Sequence, residues 1–231
     1  MFQNKLGTIY NLVHRKFSIQ VTGLDKIDPD QNYIFAMNHQ SVMDIPISYA
    51  ILAPRTNIKI NLFLSHIFYN IFFPLTVPLD AISININKGK NSRIRIFNRA
   101  QLEIGVDKLR QGNSILIFPE GGMGGARTSK IARGETGPVR LAVRTGIPIL
   151  PIGIKGTNLA YPFTVYTNNP FKHRQEIPVE ITIGDEICYQ KYAEMDLDQY
   201  SLDIRSSLRS LTEELMVRLS YLSGLSHMTS A

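Results

Sequence analysis

The chain has one cysteine, Cys188, and no tryptophan among its 231 residues. A single thiol excludes an intrachain disulfide and any zinc site built on cysteines. No Gly-x-Ser-x-Gly elbow occurs, and no Gly-Lys-Ser/Thr closes a phosphate loop. The common serine-hydrolase and Walker nucleotide sites therefore have no support. No repeat and no low-complexity stretch appears, and Met1 to Thr22 carries neither an uninterrupted apolar core nor a small-residue cleavage site. A secretory leader is not expected.

What is present is a globular composition. Hydrophobic residues make up 44% and charged residues 19%, which excludes a chain disordered throughout. A chain of this size can bury a core without staples. With no obvious linker, residues 1–231 read as one domain. Residues 1–16 form an expected amphipathic helix, with Leu6, Ile9, Tyr10 and Val13 on one side.

The net charge is +6, and it is unevenly placed. Residues 1–79 carry 6 basic and 4 acidic side chains, residues 80–144 carry 12 and 5, and residues 145–231 carry 7 and 10. The excess lies in the middle. A basic balance favours an anionic partner such as nucleic acid, a membrane surface or a phosphorylated small molecule. Nucleic acid fits poorly, because only Phe97 lies among Arg93, Arg95 and Arg99, and stacking on single strands needs more aromatics. Ile60 to Leu79 contains no Asp, Glu, Lys or Arg. The run is long enough to span a bilayer core, but Pro74 and Pro78 break it late. A buried core helix leading into a strand and an interfacial segment dipping into lipid are the other readings.

Alternation and apolar runs predict strands at Phe17–Thr22, Tyr33–Met37, Ala81–Ile86, Ser114–Phe118, Ile149–Ile154 and Val179–Ile183. Helices are expected from Ser41 or Asp44 to about Leu52, and over Asn91–Arg110, Gly137–Thr145 and Leu202–Leu222. Strands alternate with helices, so the fold class is α/β with a mixed, largely parallel sheet flanked by helices. Sites in such sheets lie beyond the carboxyl ends of strands.

Two such ends carry chemistry. Asn38-His39-Gln40-Ser41-Val42-Met43-Asp44 follows the Tyr33–Met37 strand. An imidazole can take a proton from a hydroxyl, and a carboxylate on its other nitrogen fixes its tautomer. Phe118-Pro119-Glu120-Gly121-Gly122-Met123-Gly124-Gly125 follows Ser114–Phe118. Its glycines allow close backbone approach, and successive N–H groups can cradle an anion. Glu120 would repel a bare phosphate, and suits holding the loop, a hydroxyl or a cationic side chain.

Asn38-His39-x4-Asp44, Phe118-Pro119-Glu120-Gly121 and Ile147-Pro148-Ile149-Leu150-Pro151-Ile152, in this order, resemble three blocks of the glycerolipid acyltransferase family. Arg133-Gly134-Glu135-Thr136-Gly137-Pro138-Val139-Arg140-Leu141-Ala142 is similar to the stretch that precedes the last of them. The resemblance covers residues 17–160. It implies transfer of a fatty acyl group from a thioester donor, acyl coenzyme A or acyl carrier protein, to the hydroxyl of a lysophosphatidic acid-like glycerolipid. It implies His39 as general base, Asp44 as its partner and Lys88 as a substrate-binding residue, with no metal and no bound cofactor; Glu120, Gly121, Gly122 and the nearby cation Arg133 are further substrate-binding candidates read from the glycine-rich loop itself. The implied partners are a membrane lipid acceptor and a membrane surface, at its cytoplasmic face. Lys88 stands where the family usually has an Arg, and Gly122-Met123 stands where it usually has Thr-Arg. Another lysophospholipid or a glycolipid acceptor, and a non-catalytic lipid-binding relative, are the alternative readings.

Overall fold

The computed structural model describes residues 13, 15, 17–71, 80–86, 92–123, 130–161, 176–192, 194–195, 197 and 201–227. The expected helix over residues 1–16 falls almost wholly outside them. The elements begin with β1 (Ile19–Thr22), β2 (Ile34–Met37), α1 (Asp44–Leu52), β3 (Ile60–Ser65), α2 (His66–Ile71), β4 (Ile82–Ile84), α3 (Ser92–Arg110) and β5 (Ser114–Ile117). They continue with β6 (Lys130–Ile131), α4 (Gly137–Thr145), β7 (Ile149–Lys155), α5 (Thr157–Ala160), β8 (Val179–Ile183), α6 (Leu202–Ser223) and β9 (Ser226–His227).

Seven strands form one sheet in the order β1-β8-β7-β2-β5-β3-β4. The β7–β8 pair is antiparallel and the other pairs in this sheet are parallel. The central strand β2 reads Ile-Phe-Ala-Met and is buried along its whole length, as a strand covered on both faces must be. Its side chains alternate between two cores. Phe35 and Met37 join Ile47, Ala50 and Ile51 of α1. Ile34 and Ala36 join Val106 of α3, Leu141 of α4 and Leu215 of α6. The molecule is therefore layered helix–sheet–helix, each fully buried Leu or Phe contributing about 1.5–3 kcal/mol.

Local signals set the helix ends. Ser201 accepts the Ile204 N–H at the start of α6, and Gly224 ends it in the left-handed region. Leu208, Leu211, Leu215 and Leu219 form the buried stripe of α6, which packs along β7. At Gly153 of β7 a Cβ would overlap the Leu222–Ser223 peptide, so only glycine lets this helix so close.

The uncharged run from Ile60 differs from both helix-first readings. Its first six residues are β3, inserted between β5 and β4, and only then does α2 begin. No described helix is long and apolar enough to cross a membrane. Just past β4, the Asn98 side chain donates to the Asn85 carbonyl and accepts the Asn85 N–H, both at 2.8 Å, which ties the end of this edge strand to α3. The two-residue β6–β9 pairing was not legible from pattern at all.

Candidate active site

His39 leaves the carboxyl end of β2 and Asp44 opens α1. Of the two starts read from the sequence, Asp44 is the first helical residue, and the cap position is Met43, with no side-chain hydrogen bond. The Asp44 carboxylate instead folds back over its own loop. Its Oδ2 accepts the N–H groups of Gln40 at 2.6 Å and Ser41 at 2.8 Å, and lies 2.8 Å from His39 Nδ1. An ionised carboxylate is acceptor-only, so Nδ1 must carry the imidazole proton. Nε2 is thereby left with its lone pair, and makes no hydrogen bond among the described residues. Asp44 is fully buried, whereas the His39 side chain keeps 11% of its surface exposed. The imidazole can be reached from solvent and the carboxylate cannot.

Three further contacts hold this loop. Asn38 donates to the Ile154 carbonyl at 2.8 Å and accepts the Ile154 N–H at 2.7 Å, which pins the end of β2 to β7. Phe118 stacks under His39, with centroids 4.2 Å apart and planes at 24°. Ser41 Oγ donates to the Tyr161 carbonyl at 3.0 Å. Asn38 and Phe118 each open one of the blocks read from the sequence, but neither is given a site role there; what each does depends on partners 116 and 79 positions away.

Glu120 is buried in the turn after β5. Its Oε1 accepts the His39 N–H and its Oε2 accepts the Ala132 N–H, both at 2.7 Å. Burial pushes its carboxyl up to about 7, against the pull of those two donors. Both oxygens serve the backbone, so Glu120 braces the loop on which the sequence suggested a substrate contact. Gly121 (φ +65°) and Gly122 (φ +152°) make the turn in a region that disfavours side chains. The Gly121 N–H turns inward to the Phe118 carbonyl at 3.2 Å and is not available as an anion donor. The Gly122 N–H has no acceptor among the described residues. Arg133, one residue beyond Ala132, is exposed. Lys88 lies outside the described residues.

A largely parallel α/β sheet with a buried His–Asp pair at the end of its central strand defines the class of site. The acyltransferase family model matches residues 18–155, which run from β1 through β7 and include His39, Asp44 and Glu120. The chain belongs to the acyltransferase family. It is 30% identical over 142 residues to the 1-acyl-sn-glycerol-3-phosphate acyltransferase of Borreliella burgdorferi, a match covering 61% of this chain and 52% of that protein. The chain thus spans about half the length of that curated relative. The crystal structure of the 1-acyl-sn-glycerophosphate (LPA) acyltransferase from Thermotoga maritima matches with a TM-score of 0.59 at 22% identity, covering 94% of this chain and 79% of that one. At that identity the likeness is one of fold.

Proposed function

We propose that the protein transfers a fatty acyl group from a coenzyme A or acyl carrier protein thioester to the free hydroxyl of a phosphate-bearing glycerolipid at a membrane surface. The observation that carries this reading is the His39–Asp44 pair, held at 2.8 Å with Nε2 left open. His39 Nε2 takes the proton of the acceptor hydroxyl as its oxygen attacks the thioester carbon. Asp44 stabilises the imidazolium that forms. The tetrahedral oxyanion is met by the Gly122 N–H. Its collapse breaks the carbon–sulfur bond and expels the thiolate, which recovers the proton from His39. No covalent acyl-enzyme is needed.

The names of the two relatives support lysophosphatidic acid as acceptor. Lys88, in the position of the family's usual arginine, would meet the phosphate as a point charge without bidentate geometry. Exposed Ile67 and Ile96 support attachment to a membrane surface. They lie beside the exposed Arg95 on α2 and the first turns of α3, at the same end of the sheet as His39. The test supplies a labelled acyl thioester with lysophosphatidic acid, other lysophospholipids and a glycolipid. Preferential product from lysophosphatidic acid is expected; a preference for a phosphate-free acceptor overturns that assignment.

A further inference from the structure

A second polar cluster starts at the same rim of the sheet, at His66, and runs along the β4 edge to Asp80, which precedes that strand. The strand registers place Ala36, Ile117, Phe63 and Ile82 in one row across β2, β5, β3 and β4. His39 comes three residues after Ala36, and His66 three residues after Phe63. The strands that the two histidines follow, β2 and β3, are two apart in the sheet, which is about 10 Å at the usual strand spacing.

His66 belongs to a pocket of about 350 Å³ between α2, β4 and α3, the size of a small-molecule site. Its Nδ1 lies 3.1 Å from Ser83 Oγ, and its Nε2 lies 3.1 Å from Asn70 Nδ2. The Gln101 amide lines the same space and has no hydrogen-bond partner among the described residues. The apolar part of the wall comes from Tyr69, Phe97 and Ile104. Cationic charge in the pocket is already spent: Asp80 Oδ2 binds Lys108 Nζ at 2.6 Å and Lys59 Nζ at 2.9 Å. A phosphate would meet an engaged lysine and a carboxylate. A neutral ligand with amides, hydroxyls and a small apolar group meets complementary partners throughout.

Resting on the acyl-transfer reading, we infer that this pocket holds the pantetheine arm that coenzyme A and acyl carrier protein thioesters share. The arm's amides and hydroxyl face Gln101, Asn70 and Ser83, and its geminal methyls lie on Phe97 and Ile104. Its β-alanyl-cysteamine part has the backbone length of two to three residues, which spans about 10 Å. The thioester carbon therefore reaches His39 while the pantoyl end stays in the pocket.

The experiment has two readouts on the whole chain. S-methyl-pantetheine is titrated calorimetrically into the wild type, His39→Ala and Gln101→Leu. Saturable binding is expected in the first two, weakened at least tenfold in the third. Transfer from decanoyl-pantetheine is then compared with transfer from the decanoyl thioester of N-acetylcysteamine, which lacks the pantoyl end. Gln101→Leu should raise KM for the pantetheine donor at least tenfold more than for the truncated one. No binding, equal binding in Gln101→Leu, or a KM increase confined to the lipid acceptor overturns the assignment. Binding with no transfer from either donor leaves the pocket assignment standing and removes the acyl-transfer reading.

Discussion

Glu120 and His39 are joined backbone to side chain: the His39 N–H donates to Glu120 Oε1 at 2.7 Å, across 81 positions of sequence. The other oxygen of the same carboxylate takes the Ala132 N–H at 2.7 Å. One buried side chain therefore ties the loop carrying His39 to the glycine-rich turn and to the segment entering α4. The two blocks are held as a unit through a carboxylate that contacts neither the His39 ring nitrogens nor Asp44 by hydrogen bond.

Glu120 makes stability depend on pH. Its folded-state carboxyl is raised to about 7, above the unfolded value near 4.3. The fold then binds the proton more tightly than the unfolded chain does. This group's contribution is fully present below pH 4.3 and is lost as pH rises through 7. Urea midpoints of the wild type should fall across that window relative to Glu120→Gln, which cannot titrate. Glu120→Gln should also lose about 1–3 kcal/mol, because its amide NH₂ must face one of the two N–H donors. Parallel pH profiles for the two proteins would remove Glu120 as the cause.

Asp44→Asn removes the charge but keeps an acceptor. An Asn oxygen in the place of Oδ2 can still accept the Gln40 and Ser41 N–H groups and the Nδ1–H, so the tautomer is kept while the negative charge that would stabilise the imidazolium is gone. Acyl transfer should fall by about 10²-fold or more, while the far-ultraviolet circular dichroism is retained. Near-wild-type turnover in Asp44→Asn would show that the carboxylate is only a brace for the loop.

Asp80 draws Lys59 and Lys108 onto one oxygen, and these hydrogen bonds lower its carboxyl to about 2. Its folded value lies below the unfolded one near 3.9, so its contribution is present above pH 3.9 and is lost as pH falls through 2. The side chain is 39% exposed, so solvent screening keeps the effect under about 1 kcal/mol. The gap between wild type and Asp80→Asn should be open at neutral pH, shrink toward pH 2 and narrow at high salt.

Gly153→Ala tests the packing of α6 on β7. The added methyl would overlap the Leu222–Ser223 peptide, so helix or strand must shift. A loss of about 1–3 kcal/mol is expected in urea unfolding. A neutral substitution would mean that the helix moves freely on the sheet.

The sheet was largely legible because strands such as Ile34–Met37 and Ser114–Ile117 are short apolar runs between turn signals. The His39–Asp44 pairing was legible through the order of the blocks along the chain, since a His and an Asp five residues apart are by themselves a weak signal. The role of Glu120 was not, since its partners are backbone groups 81 and 12 positions away, and no local pattern encodes them. The run from Ile60 misled for a related reason. Fully buried strands and buried helices share an uncharged composition, and what makes its first six residues a strand is their place between β5 and β4. The Lys130–Ile131 pairing with Ser226–His227 joins chain ends nearly a hundred residues apart, in segments too short to show a period.

The most direct test of the account is single-turnover acyl transfer by His39→Ala beside the wild type, with a labelled long-chain thioester and lysophosphatidic acid in mixed vesicles. Removing the imidazole should slow transfer by about 10²–10⁴-fold, with the far-ultraviolet circular dichroism retained and stability lowered by about 1–3 kcal/mol, because the buried Asp44 loses a hydrogen-bond partner. Transfer at the wild-type rate by a folded His39→Ala protein would contradict the central claim.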